Sequence, residues 1–220
     1  MLESSLWTHW WGGSDLVIRT VFIVLVGLSI LGWSVISYKL VQYYGLLKAE
    51  LKLRRQLRGP VERVDLAATQ WVQGGVTADF WNRVVRERGH QVRFDKPGLL
   101  DRQAEQFLED QRIELENGLI LLAIIGNSAP FIGLLGTVWG IMHALQSLGG
   151  SSQLTMGMVA GPVSEALVAT AVGLFAAIPA AAAYNLLVRW LRRISSVMAS
   201  NLREMRGLLL IKEETNHVNS

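Results

Sequence analysis

The sequence predicts an all-α membrane protein with three transmembrane helices, the second and third extended far into the cytoplasm, and a helical cytoplasmic insertion after the first. Three observations carry that fold class. Half of the 220 residues are hydrophobic and the mean hydropathy is +0.30, more apolar than a soluble chain of this size needs. The apolar residues come in blocks long enough to cross a bilayer. The basic residues fall on one side of those blocks: 14 Lys and Arg lie in 39–117 and six in 189–220, with none in 1–18 or 149–161.

Taken in order, residues 1–14 carry Leu6, Trp7, Trp10 and Trp11 at spacings that share one face of a short helix, which Gly12-Gly13 ends. Trp is enriched at membrane interfaces because its ring is amphipathic, so Trp7, Trp10 and Trp11 read as an interface anchor on the outer side. The alternative is a specific aromatic binding site. No basic region precedes the first apolar run, and no signal peptide is read there. The first span occupies 15–38. Its core, Thr20 to Tyr38, is about 19 residues or roughly 28 Å of helix, and Arg19 at its outer edge can snorkel.

Residues 39–117 hold 14 basic and 12 acidic residues, the pattern of solvated helical faces. Gly59-Pro60, Gly74-Gly75 and Lys96-Pro97-Gly98 break the stretch, so short helices are expected between them. From Leu99 a helical stripe of Leu100, Ala104, Phe107, Leu108, Gln111 and Leu115 leads into the second span, 118–148. A continuous helix there would hold about 50 residues and measure roughly 75 Å. An outer loop, 149–161, precedes the third span, 162–188. Leu191, Ile194, Met198, Leu202, Met205 and Leu209 then recur at steps of three and four. They extend the third helix into the cytoplasm, within a segment and tail covering 189–220.

Orientation follows from the same basic residues. The positive-inside rule places the N-terminus and the 149–161 loop outside, and 39–117 and the C-terminus in the cytoplasm. The net charge of +3 gives no sign of a nucleic-acid partner, and the absence of Cys excludes disulfides, thiolate metal sites and Cys nucleophiles. No phosphate-binding loop, metal-ligand cluster or nucleophile–base pair is present, so neither an enzyme nor a cofactor is expected.

The chemistry concentrates on one carboxylate. No Lys or Arg occurs between Ile113 and Val188, and Glu165 is the one acid between Asn117 and Asn201. An ionisable side chain in a span is a functional-site hypothesis by default. The series Gly161, Glu165, Ala169, Gly173 and Ala177 forms an i+4 ridge of small residues with the carboxylate in it, and small residues let another helix approach closely in lipid. Glu165 would then face protein or a water-filled cavity, and it suits a group that takes up and releases protons. The other reading is an end-of-span carboxylate reaching interfacial water. Thr170, five residues on, can flank the same cavity. On the second span, Gly133, Gly136 and Gly140 form a helix-packing pattern with Thr137 between them, which either back-bonds to its own helix or lines a polar path. His143 lies near the outer end and reads as interfacial.

The stretch Pro130-Phe131-Ile132-Gly133-Leu134-Leu135-Gly136-Thr137-Val138-Trp139-Gly140-Ile141-Met142 resembles the second-span signature of the ExbB/TolQ family, relatives of the flagellar stator protein MotA. Glu165-Ala166-Leu167-Val168-Ala169-Thr170-Ala171-Val172-Gly173-Leu174-Phe175-Ala176-Ala177-Ile178-Pro179-Ala180 resembles the third-span signature. The resemblance covers about residues 113–193 by motif and the rest by topology. It implies a homopentamer in the inner membrane of a Gram-negative bacterium. The pore would enclose helices of a single-span partner, ExbD-like or TolR-like, with an intramembrane Asp. Proton flow past that Asp would drive TonB or TolA to act on the outer membrane. By position, Glu165, Thr137 and Thr170 match the family's polar pore residues. Gly161-Pro162 reverses the usual order before the Glu, Ser164 replaces a common Ala and Leu135 a frequent Phe. His143 and Gly173 to Ala177 are closer to TolQ. The Trp-bearing outer segment and Tyr38-Lys39 are closer to ExbB, to which the balance goes. MotA has two spans before its cytoplasmic domain, where this chain has one.

Overall fold

The computed structural model describes residues 16–59, 75–88, 98–149 and 157–218, which form five helices without a strand among them. They are α1 (Leu16–Leu57), α2 (Val76–Arg88), α3 (Leu99–Glu116), α4 (Leu119–Gly149) and α5 (Gly157–Val218). Three stretches, one each in α1, in α3–α4 and in α5, are long and apolar enough to cross a membrane. This is an α-helical membrane protein. Trp7, Trp10 and Trp11 lie outside the described residues.

The described chain differs from the sequence reading in two places, before the second span and at the start of the third long helix. The first span and the residues after it lie on one helix, α1, which runs for 42 residues to Leu57. Residues 46–57 are dominated by Leu, Lys, Glu, Gln and Arg, all good helix formers, and the first breaker is Gly59. The second span is not continuous with the helix before it. α3 ends at Glu116, and Gly118 adopts φ +87°, a left-handed conformation that costs a side-chain-bearing residue far more than glycine. The Asn117 N–H still bonds to the Ile113 carbonyl at 3.2 Å, so the helix closes its last turn before breaking. The third long helix begins at Gly157, not at Pro162, which lies inside it. Proline has a helical φ and costs the preceding turn one hydrogen bond and some crowding, so the turn before it survives.

Two compact units divide the chain. The first joins residues 1–37 with 118–186, the second 38–117 with 187–220. In the first unit α1, α4 and α5 pack through Leu25, Leu122, Ile125, Ala129, Ala144, Ala166, Ala169, Ala176 and Ala180, all buried. Large apolar side chains such as Phe131, Val138, Phe175 and Ile178 stay more than half exposed. A soluble protein hides such groups, whereas hydrocarbon solvates them.

The second unit has a core of the water-soluble kind. Leu53, Leu57, Ala78, Trp81, Val84, Leu100 and Met205 form one cluster, with Phe80 and Leu208 packed against it. Phe80 stacks on Phe107 at 4.3 Å between centroids. Glu50 is wholly buried there. One carboxylate oxygen accepts the Thr77 backbone N–H at 3.0 Å, one of the unsatisfied donors at the start of α2, and the other accepts from Asn201 Nδ2 at 2.8 Å. The same Asn201 amide donates to the Glu50 carbonyl at 3.1 Å, so one carboxylate ties α1, α2 and α5 together.

Candidate functional site

The site is built on the contact between α4 and α5, which glycine makes possible. A Cβ placed on Gly133 would sit 3.0 Å from both the Ala169 carbonyl and Thr170 Cα, and one on Gly173 would sit 2.7 Å from the Ala129 carbonyl. At Gly140 it would sit 2.6 Å from Ala166 Cβ, and at Gly136 2.9 Å from Ala169 Cβ. Backbones therefore touch along this line, and any side chain would force the helices apart. α1 closes one side of the contact, its Val21 reaching Gly136 and its Ile18 reaching Gly140. Gly133, Gly136, Gly140, Ala169 and Gly173 are thus brought together, with Ala177 buried on the same helix. Gly161 is exposed, with nothing within 4 Å of a Cβ added there.

Two threonines occupy this contact. Thr137 is 8% exposed, and its hydroxyl donates to the Leu134 carbonyl of its own helix at 2.7 Å. Thr170, half-buried, donates across to the Gly133 carbonyl at 2.9 Å, and its oxygen lies 3.5 Å from that of Thr137. A hydroxyl has one proton to give and two lone pairs to accept with. Rotation about a single Cβ–Oγ bond would redirect the Thr170 proton from a carbonyl towards the Thr137 oxygen. Of the two roles open to Thr137, the structure shows the back-bond to its own helix. In a single chain Thr137 is covered, lying between two helices and not on an open wall.

Glu165 is half-buried on α5, five residues before Thr170 and so about 7.5 Å along the helix axis. The neighbouring Ala166 and Ala169 face the α4 glycines, which leaves the carboxylate at the border of the contact. His143, near the end of α4, is exposed. Among the described residues no group of three or more His, Asp or Glu is placed to hold a metal ion.

The second unit contains a polar clasp that sequence reasoning did not find. The break at Gly118 leaves the Leu115 carbonyl without its helical donor. Lys39 Nζ and the Tyr43 hydroxyl, both buried, donate to it at 3.0 Å and 2.7 Å. Lys39 also donates to Gln42 Oε1 at 3.0 Å, and its ammonium lies 5.9 Å and 5.5 Å from the Tyr38 and Tyr43 ring centres. The signal was present: Asn-Gly at 117–118 marks a turn, and a turn inside an apolar stripe frees carbonyls that need donors. The Glu50–Asn201 pair had no such signal, its members being 151 residues apart.

Residues 74–200 match the MotA/TolQ/ExbB proton channel family. The chain is 32% identical over 212 residues to the biopolymer transport protein ExbB of Neisseria meningitidis, covering 91% of this chain and 96% of that one. It is 35% identical over 191 residues to the Tol-Pal system protein TolQ of Haemophilus influenzae, covering 78% and 79% of the two chains. Against the ExbB of Xanthomonas campestris the identity is 50% over 87 residues, 40% of this chain and 34% of the relative.

Proposed function

The chain belongs to the MotA/TolQ/ExbB proton channel family, and from that premise we propose that it is an ExbB-type subunit of an inner-membrane proton channel. With a single-span partner of the ExbD or TolR kind, it uses the proton motive force to energise TonB-dependent transport across the outer membrane. Its N-terminus is periplasmic and its C-terminus cytoplasmic, with spans at 15–38, 118–148 and 162–188. Five copies enclose the partner's helices, and the partner's intramembrane Asp supplies the second acid that this chain lacks. The concentration of basic residues in 39–117 and 189–220, with none in 1–18 or 149–161, supports the orientation.

One observation carries the reading: a hydroxyl pair, Thr170 and Thr137, set into an otherwise apolar helix contact on the helix that bears Glu165. Packing alone would be served by Val and Ala at the two threonine positions. Hydroxyls that both give and take a proton provide a polar link inside the helix contact through which a proton can be passed, with Glu165 as a group that can hold one. One proton crossing yields about 2.3 kcal/mol per 100 mV, comparable to a few hydrogen bonds and enough to switch a helix contact between two arrangements.

The test is transport in cells that lack the native subunit. Glu165→Gln and Thr170→Val should assemble with the partner at wild-type level and lose energised uptake through a TonB-dependent receptor. Full uptake by both variants would leave a non-conducting scaffold for partner helices as the correct reading. The second reading, a TolQ-type role in envelope integrity and division, is favoured by the 35% identity to TolQ. Complementation separates the two: an ExbB-type chain restores uptake and leaves a TolQ-deficient envelope leaky, whereas a TolQ-type chain does the reverse.

A further inference from the structure

The apolar run of α5 ends at Val188 and is followed at once by Arg189-Trp190-Leu191-Arg192-Arg193. On a helix of 3.6 residues per turn, positions 189, 192 and 193 fall within an arc of about 100° and about 6 Å of axis. All three arginines are exposed. Leu187, Leu191, Ile194 and Met198, on the opposite arc, are buried. Trp190 between them is half-buried. Among the described residues no carboxylate lies within 4 Å of any of the three guanidinium groups, the ion pairs of this unit being made by Arg58, Arg112 and Arg206. No acidic residue occurs on α5 between Glu165 and Glu204.

Three guanidinium groups on one outward face, with no carboxylate partner among the described residues, are an unusual use of charge. Arginines that serve only solubility are interspersed with acids, and the same chain does this on α3, where Arg112 pairs with Glu116 at 3.0 Å. A guanidinium is weakly hydrated and matches phosphate oxygens in a bidentate fork. Placed directly after an apolar run, such a triad sits where the headgroups of a bilayer begin, with an interfacial aromatic beside it. We propose that Arg189, Arg192 and Arg193 form a binding site for the phosphate of an anionic phospholipid headgroup at the end of the third span. The site selects anionic over zwitterionic lipid and anchors α5 at that depth. It depends on the membrane reading of the chain and not on proton conduction.

The experiment is native mass spectrometry of the full chain released from micelles with equimolar phosphatidylglycerol and phosphatidylcholine. Wild type should retain phosphatidylglycerol in preference to phosphatidylcholine, and added salt should erode the preference. The triple variant Arg189→Gln, Arg192→Gln, Arg193→Gln should lose about a hundredfold of that preference, each guanidinium near an anionic surface contributing roughly fivefold. A control with Lys48→Gln, Lys52→Gln and Arg55→Gln, which removes three exposed charges of α1, should keep it. Equal retention of the two lipids by wild type overturns the proposal without any variant having to fold. So does an unchanged preference in the α5 triple variant or a matching loss in the α1 control. Displacement of the lipid by millimolar inorganic phosphate would make this a free-phosphate site. Loss of a co-purifying subunit with lipid preference intact would make it a protein-docking face.

Discussion

The two units of this chain solve the same packing problem in opposite ways. The membrane unit makes its closest helix contact, between α4 and α5, with the smallest side chains it has. Gly133 meets Gly173, Gly136 meets Ala169 and Gly140 meets Ala166, with the threonine bond from Thr170 to the Gly133 carbonyl laid across them. The second unit is held by its largest: Trp81, Tyr43, Leu53 and Met205 are fully buried, and a buried carboxylate satisfies an open helix start. The difference is one of solvent. In water, burying a big apolar group is itself the driving force. In hydrocarbon nothing is gained by moving Leu from lipid to protein, so close backbone approach and interhelical hydrogen bonds remain. Phe175 and Ile178 stay outside for that reason, while glycine goes inside.

The sharpest way to break the contrast is to put a large residue where the membrane unit needs none. Gly173→Leu would drive a side chain into the Ala129 carbonyl, 2.7 Å from the new Cβ. The obstacle is backbone and cannot rotate away. No folded membrane unit should be recovered, which size-exclusion of detergent extracts would show as aggregate in place of an assembled peak. The mirror experiment empties the second unit: Trp81→Ala removes a side chain only 1% exposed and should cost about 3–5 kcal/mol, read by denaturant unfolding. The membrane helices should keep their far-ultraviolet signal through that transition.

Smaller effects sharpen the comparison. Glu50→Leu keeps side-chain bulk but strands the Thr77 N–H and one of the two Asn201 amide N–H groups, both buried, the other still reaching the residue 50 carbonyl. With about 1–3 kcal/mol for each unsatisfied donor, a loss of about 2–4 kcal/mol is expected, and protease nicking near α2 should rise with it. Gly161→Ala marks the lower limit. It lies on the same i+4 series as Gly173 but has nothing within 4 Å, so the helix should gain about 0.5–1 kcal/mol from reduced backbone freedom in the unfolded chain. A loss as large as that at Gly173 would mean that another chain fills the space beside it.

These two glycines show how legibility divided. From the sequence, the ridge Gly161, Glu165, Ala169, Gly173, Ala177 reads as one series, because periodicity reports which residues share a face. It does not report where a second helix crosses that face, and α4 meets it at Ala169 and Gly173 and leaves Gly161 uncovered. Thr137 and Thr170 could be named as a pair from their motifs. That one donates to the other helix's Gly133 carbonyl required the helices to be docked.

What the sequence determined by itself was everything that depends on neighbours in the chain. Its apolar blocks set three spanning helices, and its run without Lys or Arg isolated Glu165. Its motifs identified the family. Tertiary structure decided what depends on residues distant in sequence. The Asn-Gly turn became a break in the second long helix when Lys39 and Tyr43, more than 70 residues away, supplied donors for the Leu115 carbonyl. Glu50 became a buried keystone because Asn201 was brought to it. Local propensity is a matter of a kilocalorie per residue or less, whereas an unsatisfied buried carbonyl or carboxylate costs more than that. The partners found in three dimensions therefore had the final say over where helices end and which charges can be buried.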